Sequence, residues 1–341
     1  MKILLNIILL LFLYNFCQGQ NTKVKKEVKN IIKSNDLVVF KDGKFTKGKC
    51  TLHGDDRVNS VELNLYVQAI PSQESCQAFL ICDHEVTVQE YVEFLLDVTK
   101  VDNFGEVSIN ETYTFDLKGE KVSISLLPNI SHMEGIGKGY LTDEKYLEYP
   151  IIGINWLQAN AYIFWLNSKL EPKLKKRGIS TTSNKFILPS DLQWEYAASI
   201  YRDDRIHKKE RIRNMKYYPL KDGEMVMNDG QFYANFGTIK NEAGVISKSP
   251  QDDGFKYTAP VKSFPADNDL YDLAGNVSEW TASKVEVDQK QNVIIKGGSF
   301  MSEPIFMQVG VYQLQTETFQ SNAIGFRIAM ELENNLILFL E

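Results

Sequence analysis

The stretch from Lys296 to Met307, KGGSFMSEPIFM, has the layout of an active-site strand and loop, yet nothing in it is a strong nucleophile. Ser302 would need a positioned base to give up its proton. The four histidines, His53, His84, His132 and His207, all precede the final third of the chain. None stands at a close, helix-like spacing from another, so a histidine triad for iron has no support. The cysteines are Cys17, Cys50, Cys76 and Cys82, with no CxxC pair among them. A dithiol redox centre therefore lacks its usual sequence sign.

The elements that must position such a loop are short. Val61 opens VELNLYVQAI, whose alternation predicts a half-buried strand. AFLICDHEVT reads as a second strand running into a turn. Thr87 and Glu90 form a capping box, and Val88, Tyr91, Val92, Leu95 and Leu96 give the following helix an apolar face. YPIIGINW reads as a strand closed by Asn155, a good helix cap, before the helix WLQANAYIFWLNSKL. Ser190 and Gln193 repeat the capping box ahead of a third helix. Residues 102–148 are poor in periodicity and read as a long excursion. TAPVKSF, NVIIKGGSF and IGFRIAM read as short late strands. Few helices, many short strands and much loop predict an α+β fold with low regular secondary structure. Trp156, Trp165, Trp194 and Trp280 read as core anchors of a loop-rich domain.

The chain has 341 residues, 43% hydrophobic and 24% charged, values of a globular protein with a substantial core. Its formal charge of -6 argues against a nucleic-acid partner, which needs a basic face. The one basic run, Arg205 to Lys216, reads as a solvated loop. After Lys2 comes ILLNIILLLFLYNF, too short for a comfortable membrane span, and then Cys17-Gln18-Gly19. This reads as a signal peptide over residues 1–19, cleaved after Gly19. A lipid-bearing Cys17 is the lesser alternative, because bulky Phe16 precedes it. Export follows, to a periplasm, an outer-membrane surface or the medium, with membrane contact only through envelope association. Residues 20–39 read as a tether or an exposed short helix, 40–331 as one domain and 332–341 as a tail. Export permits a disulfide. Cys50, Cys76 and Cys82 leave its pairing open, although a strand between Cys76 and Cys82 would hold them apart.

Several segments occur together and in order: EVTVQEYVEFL, YPIIGINWLQANAYIFWLN, ILPSDLQWEYAA, LYDLAGNVSEWTAS, KGGSF and GFRIAM. Together they resemble the formylglycine-generating enzyme, or sulfatase-modifying factor, family. The resemblance implies one compact mixed domain related to the C-type lectin fold. It also implies two calcium sites. Asn235, Asp253 and the carbonyls of Phe236 and Phe255 match the first. Asp272, Glu279 and the carbonyls of Gly275 and Val277 match the second. Hard cations take such oxygen sets, while the plainer reading is ordinary Asx turns.

Family enzymes carry two cysteines after the GGS strand that bind copper(I) and oxidise a substrate cysteine. Ser302 and Met307 stand at those positions here, so the resemblance implies a scaffold without the catalytic pair. Such members include a vertebrate paralogue and lipoproteins of gliding-motility and type IX secretion machinery. EKYLEYPIIGINWLQA and DDGFKYTAPVKSFPADNDLYDLAGNVSEW resemble the latter. The expectation is a calcium-stabilised, non-catalytic domain that binds a protein, with no copper or iron. The alternatives are a family oxidoreductase with altered metal chemistry and a lectin-like glycan binder.

Overall fold

The computed structural model describes residues 22–47, 66–67, 72–102, 107, 112–130, 137–200, 216–220, 225–227, 229–237, 239–240, 246–248, 252–333 and 336. The signal-peptide reading, Cys50, most of the strand from Val61 and most of the basic run lie outside them.

Helix α1 (22–34) turns Val28 and Ile31 into the main core. Strand β1 (Leu37–Phe40) follows, and then β2 (Gly43–Lys47), β3 (Tyr66–Val67), β4 (Ser72–Cys76) and β5 (Phe79–Cys82). Of the two readings of residues 20–39, the short helix forms, but it is not wholly exposed. Its lysines face outward while two apolar residues three apart are buried, a spacing that puts them on one helical face. All four β5 side chains are buried because β1 and β15 (Ala329–Glu331) flank it. With β8 (Lys185–Ile187) these strands form an antiparallel sheet ordered β1-β5-β15-β8. Cys76 and Cys82, at the ends of two successive strands, are both free thiols.

Helix α2 (Val88–Thr99) starts at the expected Thr87–Glu90 capping box and buries Val88, Tyr91, Phe94 and Leu95. Phe94 is buried where the apolar pattern favoured Val92 and Leu96. The excursion at 102–148 contains a hairpin, which corrects the sequence reading. Strands β6 (Thr112–Leu117) and β7 (Glu120–Ser125) meet in a two-residue turn, with φ of 57° at Lys118 and 93° at Gly119. Positive φ at both central residues is a type I′ geometry. Lys-Gly is a weaker signal for it than Asn-Gly.

Asn155 caps α3 (Trp156–Lys175), and Ser190 caps α4 (Asp191–Ser199), each through a full capping box. The helix α3 runs past the expected Leu170 and through Pro172. Two minor strands, β9 (Ile239–Lys240) and β10 (Ile246–Lys248), precede the second main sheet. That sheet contains β11 (Ser278–Val287), β12 (Lys290–Lys296), β13 (Val311–Gln315) and β14 (Ile324–Gly325), ordered β14-β11-β12-β13-β3.

Indole hydrogen bonds lock α3 to β11. Trp156 donates to the Thr281 carbonyl at 2.8 Å, and Trp280 donates to the Ile154 carbonyl at 3.1 Å. Trp156, Trp194 and Trp280 are buried as expected, and Trp165 packs against the core's edge. Leu332 and Leu336, in the segment read as a tail, are also buried. Among the described residues no helix is long and apolar enough to cross a membrane.

Candidate functional site

Strand β12 ends at Lys296, and the chain turns through Gly297 and Gly298 with φ of 91° and 68°. A Cβ on Gly297 would lie 2.9 Å from the Leu273 carbonyl oxygen, and one on Gly298 would lie 2.8 Å from Met307 Cγ. The glycine pair therefore lets this loop seat against both the 270–277 turn and the Met307 segment. The Gly275 N–H donates to the Gly297 carbonyl at 2.9 Å.

Beyond the glycines the serines close on themselves. Ser302 Oγ accepts from the Ser299 N–H at 2.9 Å, and the two hydroxyl oxygens are 3.2 Å apart. The Ser302 carbonyl accepts from the Gly237 N–H at 2.9 Å. Met307 is fully buried in an apolar cluster with Leu220, Ala234, Phe236 and Ala274. One candidate side chain closes a turn and the other fills a core. The exposed tip of the loop is Met301.

Of the first expected set, Asp253 lies against the main chain of Phe236 and Phe255. Asp253 receives the Phe236 N–H on Oδ2 at 3.1 Å and the Phe255 N–H on Oδ1 at 3.2 Å. Asn235 gives its amide N–H groups to the Tyr257 carbonyl at 2.7 Å and to Asn276 Oδ1 at 3.3 Å. Its side-chain oxygen is left as the end a cation could use. A carboxylate, an amide oxygen and two carbonyls in irregular loops suit calcium.

In the second expected set the two carboxylates are not equivalent. Glu279 accepts from Arg327 Nε at 2.9 and 2.8 Å and from Arg327 Nη2 at 2.7 Å. It also accepts the Trp194 indole N–H at 2.8 Å. A cation ligand role for Glu279 would have to share oxygens already held by four contacts. Asp272 accepts the Lys262 N–H at 2.7 Å, through a turn in which Asp272 and Asn276 both have positive φ.

Sequence reasoning gave no role to Glu85 or Arg327. Glu85 is fully buried and accepts from Asn276 Nδ2 at 2.6 Å and from the Val277 N–H at 3.1 Å. Burial, with the charges of Asp272 and Glu279 beside it, holds the Glu85 carboxyl well above the usual carboxylate range. Burial likewise raises Asp272 to about 6. Burial opposes the charge on Arg327, but the Glu279 charge and hydrogen bonds outweigh it and raise the guanidinium. Arg327 hydrogen-bonds to Glu279, while Glu85 and Asp272 lie beside that pair with raised carboxyls. The available signals were a charged residue in the apolar run GFRIAM and an acid inside EVT.

Two other clusters stand apart. A cavity of about 570 Å³ is lined by Lys47, Asp191, Glu195, Ser283, Lys284 and Tyr312 among others. Cys82, Asp83 and His84 converge at the end of β5. Burial works against charge on His84, but hydrogen bonds to Asp83 and Cys82 push it up to about 11.

These features define a class: a loop-rich α+β scaffold in which a glycine-paired strand end meets an oxygen-rich turn over a buried carboxylate–guanidinium centre. The family model of the sulfatase-modifying factor enzyme 1-like domain matches residues 20–332, and the chain belongs to that family. A bovine relative, "Inactive C-alpha-formylglycine-generating enzyme 2", is 28% identical over 46% of this chain and 40% of its own length. The mouse protein of that name is 24% identical over 68% and 67% of the two chains. The bovine "Formylglycine-generating enzyme" is 24% identical over 74% and 66%. The chain thus spans between 40% and about two thirds of these relatives. Among solved structures, PvdO from Pseudomonas aeruginosa aligns with TM-score 0.52 and 21% identity, covering 87% of this chain and 94% of its own. CarF aligns with TM-score 0.52 and 18% identity, covering 87% and 98%. At these identities the two structures support the fold alone.

Proposed function

We propose that this chain is a non-catalytic member of its family, a calcium-stabilised domain that docks a protein partner. The observation that carries the reading is the KGGSF loop. There Ser302 closes a serine turn and Met307 is sealed in an apolar cluster. Copper(I) calls for soft anionic ligands. A serine hydroxyl is a hard ligand and a buried thioether brings no charge. Cys76 belongs to a different core cluster from Met307, so it is no substitute. The relatives whose names include "Inactive" support the same reading.

Asn235 and Asp253, with the Phe236 and Phe255 carbonyls, would hold the first calcium ion. Asp272 and Glu279, with the Gly275 and Val277 carbonyls, would hold the second, Glu279 sharing its oxygens with Arg327. The ions would supply structural cross-links between loops. The reading extends to an exported envelope component, of gliding-motility or type IX secretion machinery, on a scaffold related to C-type lectins. Export rests on the N-terminal sequence alone, and the machinery on the quoted segments.

The test is conversion of a sulfatase-type cysteine peptide with copper and a reductant supplied, beside metal analysis of the purified chain. The expected result is no formylglycine, with calcium present and copper and iron absent. Copper-dependent turnover by the unmodified chain would sink the proposal and favour the oxidoreductase alternative. Specific binding on a glycan array, without a protein partner, would favour the lectin-like one. The double variant Ser302→Cys, Met307→Cys should gain copper(I) binding.

A further inference from the structure

We propose that Cys82, Asp83 and His84 form a binding site for one zinc ion, with Glu90 as the outer carboxylate that orients the imidazole. The thiol sulfur, a carboxylate oxygen and a ring nitrogen all lie within 4.8 Å of one another. Cys82 Sγ is 3.4 Å from His84 Nδ1. Ligands at about 2.3 and 2.0 Å from a tetrahedral zinc stand about 3.5 Å apart. Asp83 Oδ1 contacts the same ring nitrogen.

The convergence is not a product of sequence adjacency. In a continuing strand Asp83 would point away from its two neighbours. Here β5 stops at Cys82 and the chain bends at Asp83 and His84, which brings the middle side chain round to the others. The bend is fixed from several sides. The Asp83 N–H donates to the Asp36 carbonyl at 2.9 Å, and the Asp83 carbonyl accepts from the Tyr271 N–H at 2.7 Å. Arg327 Nη1 donates to the Cys82 carbonyl at 3.2 Å.

The other ring nitrogen supplies a second, independent sign. His84 Nε2 lies 3.8 Å from Glu90 Oε2, and Glu90 is itself held by the Thr87 N–H at 2.8 Å. Metal-bound histidines give their free N–H to such a carboxylate, and this contact would shorten on binding.

A thiolate, an imidazole and a carboxylate select zinc over calcium, which takes oxygen ligands. Binding releases the thiol proton and the Nδ1 proton to water, and the thiolate and carboxylate balance the ion's two charges. Lys262, now 2.9 Å from Asp83 Oδ1, has Asp36 as a second partner at 3.8 Å. The Asp83 side chain is 19% exposed, which opens a way in and leaves a fourth position for water. None of these residues belongs to either candidate calcium set, so the inference stands apart from the proposed function.

The test uses the full chain stripped of metal, titrated with cobalt(II) as a spectroscopic stand-in and then with zinc. A thiolate-to-cobalt absorption should saturate at one equivalent and be displaced by zinc. Cys82→Ser should abolish it and Cys76→Ser should leave it. His84→Gln and Asp83→Asn should weaken cobalt binding by about tenfold or more, and Glu90→Gln, which keeps the helix cap, by about tenfold. No thiolate band in the folded wild-type chain, or a band that survives Cys82→Ser, overturns the site. Should Cys82→Ser fail to fold, unchanged cobalt affinity in both His84→Gln and Asp83→Asn overturns it equally.

Discussion

Asp253, in a loop, and Glu279, near the start of β11, are both carboxylates, yet the fold treats them differently. Asp253 is met by two main-chain N–H groups. Glu279 is clasped by a guanidinium and an indole, with both members of the ion pair fully buried. Main-chain dipoles orient a carboxylate without cancelling its charge, whereas Arg327 supplies a fixed cation within the fold. The residue types that imply a calcium ligand are the same in the two regions. What separates them is enclosure: Glu279 is fully buried against Arg327, whereas Asp253 is half-buried in a loop. Intolerance of mutation is therefore expected chiefly of the Glu279 centre, and calcium dependence is tested at the more accessible Asp253 loop.

The largest expected effect breaks that centre. Arg327→Met leaves Glu279 buried beside Glu85 and Asp272 without a guanidinium, and removing one partner of a buried pair costs about 3–5 kcal/mol. Urea unfolding should show the loss, and a loss under about 1 kcal/mol would mean that the pair is not the anchor described.

Asp253→Asn should unfold like the parent in chelator but lose its stabilisation by calcium. That stabilisation is about 3 kcal/mol at a hundredfold excess over Kd. If the melting temperature of the variant still rises with calcium as the parent's does, the first loop is not where the ion binds.

Gly275→Ala probes the join between the two regions. Its φ is 78°, and an added Cβ would lie 2.0 Å from the Asn235 carbonyl oxygen. The variant should lose about 1–3 kcal/mol and bind calcium more weakly, because Asn235 must move. A fully stable variant with unchanged calcium affinity would show that the two turns are not coupled.

The smallest effect uses a third carboxylate as a control. Asp191 pairs with Lys47 at 2.5 Å and accepts from Ser283 at 2.7 Å. Burial works against its ionisation, but those partners hold it below its usual value of 3.8. A depressed carboxylate contributes stability that is fully present above its unfolded value and disappears as pH falls through the folded one. Asp191→Asn should thus cost about 1 kcal/mol at neutral pH, and the gap should close below about pH 4. A gap that stays constant into acid would assign the effect to packing rather than to charge.

Local rules carried far in this chain. The capping boxes read at Thr87–Glu90 and Ser190–Gln193 form, and the cap read at Asn155 is completed by Gln158, because a cap is settled within one helical turn. Asp253 also meets the Phe255 N–H within one short turn, as its spacing of two residues allows. The hairpin at 112–125 escaped notice because Lys118-Gly119 takes a turn geometry that its residue types announce weakly. Helix α1 was read as exposed because two buried residues among many lysines acquire meaning only against a core.

The sequence by itself determined the starts of α2, α3 and α4, the tryptophan anchors, the glycine pair and the absence of cysteine at residues 302 and 307. Only the tertiary structure decided that Glu279 is buried against an internal cation. Arg327 and Glu279 are 48 residues apart, and Glu85 reaches Val277 across 192. It also decided that Asp83 swings round to meet Cys82 and His84. Caps and turns are fixed by bonds between near neighbours, so the residue order encodes them directly. The charge state of a buried acid depends on what the whole fold packs around it, and that arrangement exists only once the distant strands have met.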